Sequence, residues 1–228
     1  MQLLVSPASL EEAKASLAAD IVDVKRPAEG SLGANFPWVI RAVKDFVQKP
    51  VSAAIGDYGY LPGGAALAAL GAAAAGADYV KIGLMFDGID KARDVIEAVV
   101  RSVKDSYPEK SVVIAAYSDY HRLGTISPMD MAPIAADAGA DYAMIDTGLK
   151  DGKSTFEFMK ENELLAFCQL NEENSIKSAL AGSLIFEDLP VLKRINPDLI
   201  GVRGMVCGGD RTAVIRADLV AKAVSMVH

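Results

Sequence analysis

The sequence predicts an α/β fold: a single domain in which eight parallel strands alternate with eight helices and close into a (β/α)8 TIM barrel. The main observation is a repeated marker, an aspartate that precedes a short apolar segment. The intervals between the markers are 58, 63 and 57 residues, and about 60 residues is twice the length of one strand–helix unit. The markers are Asp20, Asp78, Asp141 and Asp198.

Eight short apolar segments are the predicted strands, because each is too short for a helix and rich in β-branched or small residues. Four of them follow the markers directly and read IVDVK, YVKIG, YAMID and LIGVRG. The other four lie between the markers and read QLLVS, VSAAIG, SVVIAAY and KSALAG. The two sets alternate along the chain, starting with QLLVS, so every marker interval contains two strands.

Amphipathic segments between the strands are the predicted helices. The first begins after Ser9, which suits a helix N-cap, and has acidic residues in its first turn. Another covers 35–47, with Pro37 near its first turn. A third covers 89–103 and places five aliphatic residues on one face. The rival fold, an open doubly wound sheet, would carry a glycine-rich turn after strand 1, and VSPASLEEA has none.

The composition supports one domain over residues 1–228 and excludes several classes of protein. Hydrophobic residues make up 51% and charged residues 23%, which excludes disorder, and no Pro/Ser-rich linker interrupts the chain. The 30 acidic residues outnumber the 23 basic ones, so nucleic-acid binding is not expected. The longest apolar run, 65–77, is shorter than the ~20 residues of a membrane span.

The N-terminus and the cysteines indicate a cytoplasmic protein. The opening segment has no basic region, and its apolar run is too short for a signal peptide. Cys168 and Cys207 do not make a disulfide framework and are expected to be reduced thiols. Alanine-rich faces such as 65–75 permit close packing between or within subunits, and we expect a homo-oligomer.

The ends of strands 2, 4 and 6 carry the residues that we predict to be catalytic, because active sites of such barrels lie at the C-terminal ends of the strands. Asp23 and Lys25 share one face of strand 2, and Lys81 lies inside strand 4. Asp146 ends strand 6, and Lys150 lies just beyond it. A charge inside a core is costly unless it is paired, so these residues need an explanation.

Their chemistry points to a nucleophilic amine. Two ammonium groups that are close together and partly desolvated lower each other's pKa, and a lysine tuned in this way can form a Schiff base with a carbonyl substrate. The second lysine can then transfer protons, while the aspartates orient the amines. The alternative is a structural Lys–Asp pair that only closes the top of the barrel.

Glycine-rich segments after strands 7 and 8 predict a phosphate site, because loops 7 and 8 of such barrels often bind phosphate. Backbone N–H groups approach an anion closely where no Cβ intervenes, and an arginine adds a bidentate contact. Ordinary tight turns are the alternative. The residues expected to bind phosphate are Gly182, Ser183, Arg203, Gly204, Gly208 and Gly209.

We expect neither a metal nor an organic cofactor. The chain has two histidines, His121 and His228, and no clustered carboxylate motif. A nucleophilic role for Cys207 is disfavoured because no histidine lies nearby in the sequence. The glycine-containing stretch around Gly30–Gly33 is expected to be an anion pocket, a lid over Lys25, or a plain loop.

Several of these segments resemble the (5-formylfuran-3-yl)methyl phosphate synthase family. The similar stretches are LLVSP, DIVDVKRPAEGSLGANFPW, GADYVKIGL, MIDTGLKDGKSTFEF, ALAGS and GVRGMVCGGDR. The resemblance implies a lyase of methanofuran biosynthesis. It would condense two glyceraldehyde 3-phosphate molecules into 4-(hydroxymethyl)-2-furancarboxaldehyde phosphate, with loss of phosphate and water. The ligands it implies are therefore small phosphorylated trioses.

The same resemblance assigns roles residue by residue. Lys25 in DVK matches the family's Schiff-base lysine, and Lys81 in YVKIGL matches its proton-transfer lysine. Asp23, Asp146 in IDT and Lys150 in LKDGK match other polar residues of the active site. These positions are also those selected by strand parity.

Three other functions are weighed against this one. A decarboxylase of the orotidine type also uses an Asp-x-Lys strand, but its motif continues with an aspartate where this chain has Ala28. A Schiff-base aldolase for another sugar phosphate would use the same lysines. A non-catalytic barrel that binds a phosphorylated metabolite would use the glycine loops alone.

Overall fold

The computed structural model describes residues 1–228 and confirms the predicted barrel. Eight parallel strands pair in chain order, and β1 also pairs with β8, so the sheet closes. All eight predicted strands are present. They are β1 (Gln2–Val5), β2 (Ile21–Val24), β3 (Val51–Tyr58), β4 (Tyr79–Leu84), β5 (Ser111–Tyr117), β6 (Tyr142–Asp146), β7 (Lys177–Leu180) and β8 (Leu199–Val202).

Helices follow every strand, but there are ten α-helices instead of the expected eight. The two additional ones, α5 and α7, are short helices in the loops after β5 and β6. The helices are α1 (Leu10–Ala15), α2 (Pro37–Val47), α3 (Pro62–Ala74), α4 (Ile89–Lys104), α5 (Tyr120–Leu123), α6 (Pro128–Asp137), α7 (Thr155–Phe158), α8 (Glu161–Glu173), α9 (Leu189–Ile195) and α10 (Ala217–Val227).

Local sequence explains where the helices begin. The Ser9 side chain accepts a hydrogen bond from the Glu12 backbone N–H and caps α1 as expected. Helix α2 begins at Pro37, two residues later than predicted, because a proline at the first helical position loses no hydrogen bond. No helix has the combination of length and apolarity that crossing a bilayer requires.

The repeated aspartates clamp the N-terminal end of the barrel. Each carboxylate accepts a hydrogen bond from a backbone N–H at the start of the preceding strand, at 2.7–2.8 Å. The marker before an even-numbered strand therefore fixes that strand beside its odd-numbered neighbour. The pairs are Asp20 with Leu3, Asp78 with Val51, Asp141 with Val112 and Asp198 with Ser178.

This repeat also sets which side chains reach the inside of the barrel. The residues directly after the markers, Ile21, Tyr79, Tyr142 and Leu199, lie together in the barrel interior near its N-terminal end. Because strand side chains alternate, the residues two and four positions further along each strand also point inward, nearer the C-terminal end. On β2 and β4 these include Asp23 and Lys81, and Lys25 follows β2 directly with the same parity.

Candidate active site

A cavity of about 260 Å³ opens at the C-terminal end of the barrel. It lies on the side of β6, β7, β8 and β1, where Ala181 and Gly201 have small side chains or none. Its walls carry more positive than negative charge, which suits an anionic ligand although the whole chain is acidic. Five cationic residues line it, Lys25, Lys81, Lys150, Arg203 and Arg211, against two carboxylates, Asp146 and Asp210.

Lys81 and Asp23 form a buried ion pair on the cavity wall. The Lys81 Nζ atom lies 2.8 Å from Asp23 Oδ2, and the two side chains are 2% and 0% exposed. Ser6, at the end of β1, donates a second hydrogen bond to Asp23 Oδ2 at 2.8 Å. Burial alone would raise the pKa of Asp23, but the charges of Lys81 and Lys25 outweigh it, and the pKa is lowered. Asp23 Oδ1 is also buried and has no hydrogen-bond partner, and Asp23 itself does not line the cavity.

Lys25 is the least paired of the buried amines. Its Nζ atom donates one hydrogen bond, to the Ser31 backbone carbonyl at 3.3 Å. Burial is the main cause that lowers the pKa of Lys25 to about 8, and Lys81 contributes, while Asp146 and Asp23 oppose the shift. About a tenth of this amine is therefore neutral and nucleophilic at pH 7, and about half at pH 8.

Lys150 and Asp146 form the opposite wall. The Lys150 Nζ atom lies 2.6 Å from Asp146 Oδ1 and 2.8 Å from the Thr147 hydroxyl. Burial acts to raise the pKa of Asp146, but Lys150 and Lys25 outweigh it and the pKa is lowered. All five residues predicted to be catalytic therefore lie at this end of the barrel. Four line the cavity, and the fifth, Asp23, is hydrogen-bonded to Lys81.

The predicted phosphate loops lie at the same mouth, with one exception. Gly182, Ser183, Gly204 and Gly209 line the cavity, whereas Gly208 does not. Gly182 and Ser183 both have positive φ, of 101° and 51°, and a Cβ on Gly182 would collide with Thr155. The packing of the loop therefore requires glycine at 182.

Arg203, which the sequence predicts to bind phosphate, makes all of its hydrogen bonds within the protein in this structure. All five of its N–H donors are engaged: with both carboxylate oxygens of Glu12 and with the backbone carbonyls of Ser6, Arg211 and Ala213. No N–H group remains for a phosphate, so Arg203 instead ties the β8 loop to α1. Arg211, which was not predicted from the sequence, lines the cavity and donates one N–H to the Gly30 carbonyl. The sequence feature that could have identified Arg211 is its position two residues after Gly209, in the run GGDR.

The remaining sequence candidates lie outside the cavity. His121 lines a separate cavity of about 180 Å³ with Phe158 and Glu163, and His228 pairs with Asp20 at the N-terminal end of the barrel. Burial raises the pKa of Cys207 and raises that of Cys168 to about 11, so neither thiol is activated. No cluster of three or more His, Cys, Asp or Glu side chains is placed to hold a metal ion.

The stretch Gly30–Gly33 is neither an anion pocket nor an open lid in this structure. Ser31 and Leu32 are buried, and Leu32 packs inside the barrel. The loop closes on itself through a hydrogen bond from the Arg26 N–H to the Gly33 carbonyl, at 2.8 Å. It fills the side of the barrel mouth that the cavity leaves unoccupied.

Solved structures with the same fold include enzymes of sugar and nucleotide phosphates. A crystal structure of 3-hexulose-6-phosphate synthase aligns with a TM-score of 0.71 at 20% identity and covers 100% of both chains. Orotidine 5'-monophosphate decarboxylase from Methanocaldococcus jannaschii, complexed with the inhibitor BMP, aligns with a TM-score of 0.70 at 13% identity, covering 100% of this chain and 98% of that one. At these identities the likeness shows the fold alone.

Sequence comparison gives the family. A protein of Methanosarcina acetivorans named (5-formylfuran-3-yl)methyl phosphate synthase is 59% identical over 99% of this chain and 98% of its own length. A protein of the same name from Archaeoglobus fulgidus is 48% identical over 100% of both. The family model described as 4-HFC-P synthase matches residues 3–224. The chain therefore belongs to the 4-HFC-P synthase family, as the motifs around Lys25, Lys81 and Asp146 indicated.

Proposed function

We propose that this chain condenses two molecules of glyceraldehyde 3-phosphate into 4-(hydroxymethyl)-2-furancarboxaldehyde phosphate through a Schiff base on Lys25. The reaction is a lyase step of methanofuran biosynthesis in the cytoplasm and needs no cofactor. One observation carries the proposal: Lys25 and Lys81 line the same buried cavity, and the pKa of Lys25 is lowered to about 8.

The first step is imine formation. The neutral Lys25 amine attacks the carbonyl carbon of one triose phosphate, and the carbonyl oxygen leaves as water. That oxygen must gain protons and the nitrogen must lose them. Lys81, held by Asp23 at 2.8 Å, is the group that relays them.

The iminium then activates the adjacent carbon. Its positive nitrogen withdraws electrons, so a proton on that carbon can be removed and the resulting enamine can form an aldol-type bond to the second triose. Asp146, whose carboxylate lines the cavity, is one acceptor for such a proton. Elimination of one phosphate, ring closure and dehydration follow, and water cleaves the imine bond, which frees the Lys25 amine and releases the furan. The aromatic stability of the furan draws the sequence forward.

Phosphate binding falls to the loops after β7 and β8. The backbone around Gly182, Ser183, Gly204 and Gly209 lines the mouth of the cavity, and Arg211 supplies a guanidinium with free N–H groups. This set would hold the phosphate that the product retains. Lys150 lies on the same wall and would position the substrate beside Asp146.

Product analysis tests the proposal. We expect incubation with glyceraldehyde 3-phosphate to yield an ultraviolet-absorbing aromatic aldehyde with the mass of the furan phosphate. Lys25→Arg should abolish it, because a guanidinium keeps the charge but forms no imine. Lys193→Arg, a matched change on exposed α9, should leave the rate unchanged. A non-aromatic sugar phosphate as the product would favour a Schiff-base aldolase, and binding without turnover would favour a non-catalytic barrel.

A further inference from the structure

We propose that Asp57 and Tyr117 are positioning residues that hold the β2–α2 loop, 26–36, over Lys25 and thereby fix the amine of Lys25 for reaction. The inference rests on the proposed role of Lys25 in imine formation. Neither residue lines the cavity, so neither is expected to touch the substrate. They would act through the loop.

Asp57 is the anchor of the loop. Its two carboxylate oxygens accept hydrogen bonds from the Leu32 backbone N–H at 3.2 and 3.1 Å. Tyr117, at the end of β5, donates its hydroxyl to Asp57 Oδ1 at 2.5 Å. The carboxylate therefore links β3, β5 and the loop at one point.

The local backbone places Asp57 where it can do this. The register between β3 and β4 shifts between Ala54 and Asp57, and Gly56 has a φ of 136°. An irregularity of this kind changes which side chain points inward, and here it directs Asp57 into the barrel. A Cβ on Gly83 of β4 would collide with Tyr117, Asp57 and Leu32, so glycine at 83 leaves the room that this cluster occupies.

The anchor lies one residue away from the contact of Lys25. Ser31 precedes Leu32, and its carbonyl is the acceptor of the hydrogen bond from Lys25 Nζ. The Ser31 hydroxyl donates to the Thr147 carbonyl at 2.8 Å, which connects the loop to the wall that carries Lys150. Arg211 also contacts the loop, through the Gly30 carbonyl at 3.2 Å. The loop therefore joins the imine lysine to the guanidinium proposed for the phosphate.

The loop also keeps water away from Lys25, which is only 7% exposed. Burial is the largest cause of the lowered pKa of Lys25, and the charged groups facing it are Asp23, Lys81, Asp146 and Lys150. The substitution Tyr117→Phe replaces none of these four charged residues. If the loop loosens, water solvates the ammonium form and the pKa of Lys25 rises towards its ordinary value.

The test measures the pH dependence of the Lys25 amine without requiring turnover. Formaldehyde and cyanoborohydride methylate neutral amines, and peptide mass spectrometry gives the rate at Lys25 alone. In the wild type we expect a midpoint near pH 8. In Tyr117→Phe we expect the midpoint to rise by about 1 pH unit. At a pH below both midpoints, the methylation of Lys25 should then be about tenfold slower than in the wild type. Tyr142→Phe removes the hydroxyl of a buried tyrosine at the other end of the barrel and should leave the midpoint unchanged.

A second pair of variants separates positioning from general stability. Asp57→Ala removes the acceptor of the Leu32 N–H, whereas Asp57→Asn keeps an oxygen there and should restore most of the wild-type midpoint. An unchanged midpoint in both Tyr117→Phe and Asp57→Ala would overturn the proposal. If these variants do not fold, hydrogen exchange in the wild type decides: slow exchange at the Leu32 amide supports the proposal, and exchange at the rate of an exposed loop contradicts it.

A failure of this proposal can be distinguished from a failure of the proposed function. If the wild type makes no furan from glyceraldehyde 3-phosphate, the condensation is wrong, but the midpoints still decide whether Asp57 and Tyr117 position Lys25. If the furan forms and the midpoints do not move, the condensation stands and the positioning role fails.

Discussion

The ammonium group of Lys81 lies 2.8 Å from the carboxylate of Asp23, and both side chains are almost completely buried at the mouth of the barrel. The two residues occupy corresponding positions on β2 and β4, each three residues after an aspartate marker. The fold repeat thus brings the pair together. Burying both charges is costly, and the pair lies beside the cavity, which Lys81 lines.

Removing one member of this pair should be costly for stability. Lys81→Met leaves the Asp23 charge buried without its ion-pair partner, and we expect the free energy of unfolding to fall by about 3–5 kcal/mol. Urea denaturation measures the change. Arg101→Met breaks an exposed ion pair with Asp105 and should cost less than about 1 kcal/mol. Equal losses in the two variants would contradict a strongly coupled buried pair.

The lowered pKa of Lys25 predicts a pH-dependent stability. Its pKa falls from 10.5 to about 8 on folding, so between these values the unfolded chain binds more protons than the folded one. The contribution of Lys25 to stability therefore increases as pH rises from 8 to 10.5, by roughly 3 kcal/mol in total.

Denaturant unfolding at several pH values between 8 and 10.5 checks whether the contribution of Lys25 to stability increases with pH. The wild type should gain stability relative to Lys25→Met as pH rises, while Lys193→Met, which removes an exposed lysine, should follow the wild type in parallel. Parallel curves for Lys25→Met and the wild type would mean that Lys25 titrates normally in the folded protein.

The two arginines of the β8 loop should behave oppositely. Arg211→Met removes a guanidinium from the cavity, and we expect the KM for triose phosphate to rise by about 10- to 100-fold with the fold intact. Arg203→Met leaves Glu12 without its partner and should instead lower the free energy of unfolding by about 3 kcal/mol. Steady-state kinetics of both variants measure the change in KM, and urea denaturation measures the change in the free energy of unfolding. A KM effect confined to Arg203→Met would reverse the assignment.

Gly83 should not tolerate a side chain. In Gly83→Ala the added methyl group meets Tyr117, Asp57 and Leu32, and overpacking of this kind costs about 1–3 kcal/mol. Gly71→Ala is the matched control, because nothing lies within 4 Å of its added methyl group and alanine favours a helix. In thermal unfolding, the melting temperature of Gly83→Ala should lie below that of the wild type, and that of Gly71→Ala should lie above it. A neutral Gly83→Ala would indicate that the loop packs less tightly than described.

Strand parity was sufficient to locate most of the candidate site. Asp23, Lys25, Lys81 and Asp146 were selected because alternation along β2, β4 and β6 points them inward, and the structure places all four at the mouth of the barrel. The repeated aspartates located the even-numbered strands in the sequence, and the structure shows why an aspartate precedes each of them. Each marker carboxylate binds a backbone N–H of the neighbouring strand.

Long-range side-chain pairing was not accessible from the sequence. Arg203 looked like a phosphate ligand because of the glycines around it, but its partner Glu12 lies 191 residues away, and no local pattern predicts that pair. The same holds for Asp57, which a change of register in β3 directs towards a loop 25 residues upstream. Alternation predicts direction in a regular strand and fails where a strand is irregular.

The most direct test of the account is to trap the covalent intermediate. The protein is incubated with glyceraldehyde 3-phosphate, reduced with borohydride, digested and sequenced by mass spectrometry. We expect a triose phosphate adduct on the peptide that contains Lys25, and no such adduct in Lys25→Arg. A wild-type protein that forms the furan but carries no adduct, or carries it only on Lys81 or Lys150, would contradict the assignment of Lys25 as the imine-forming residue.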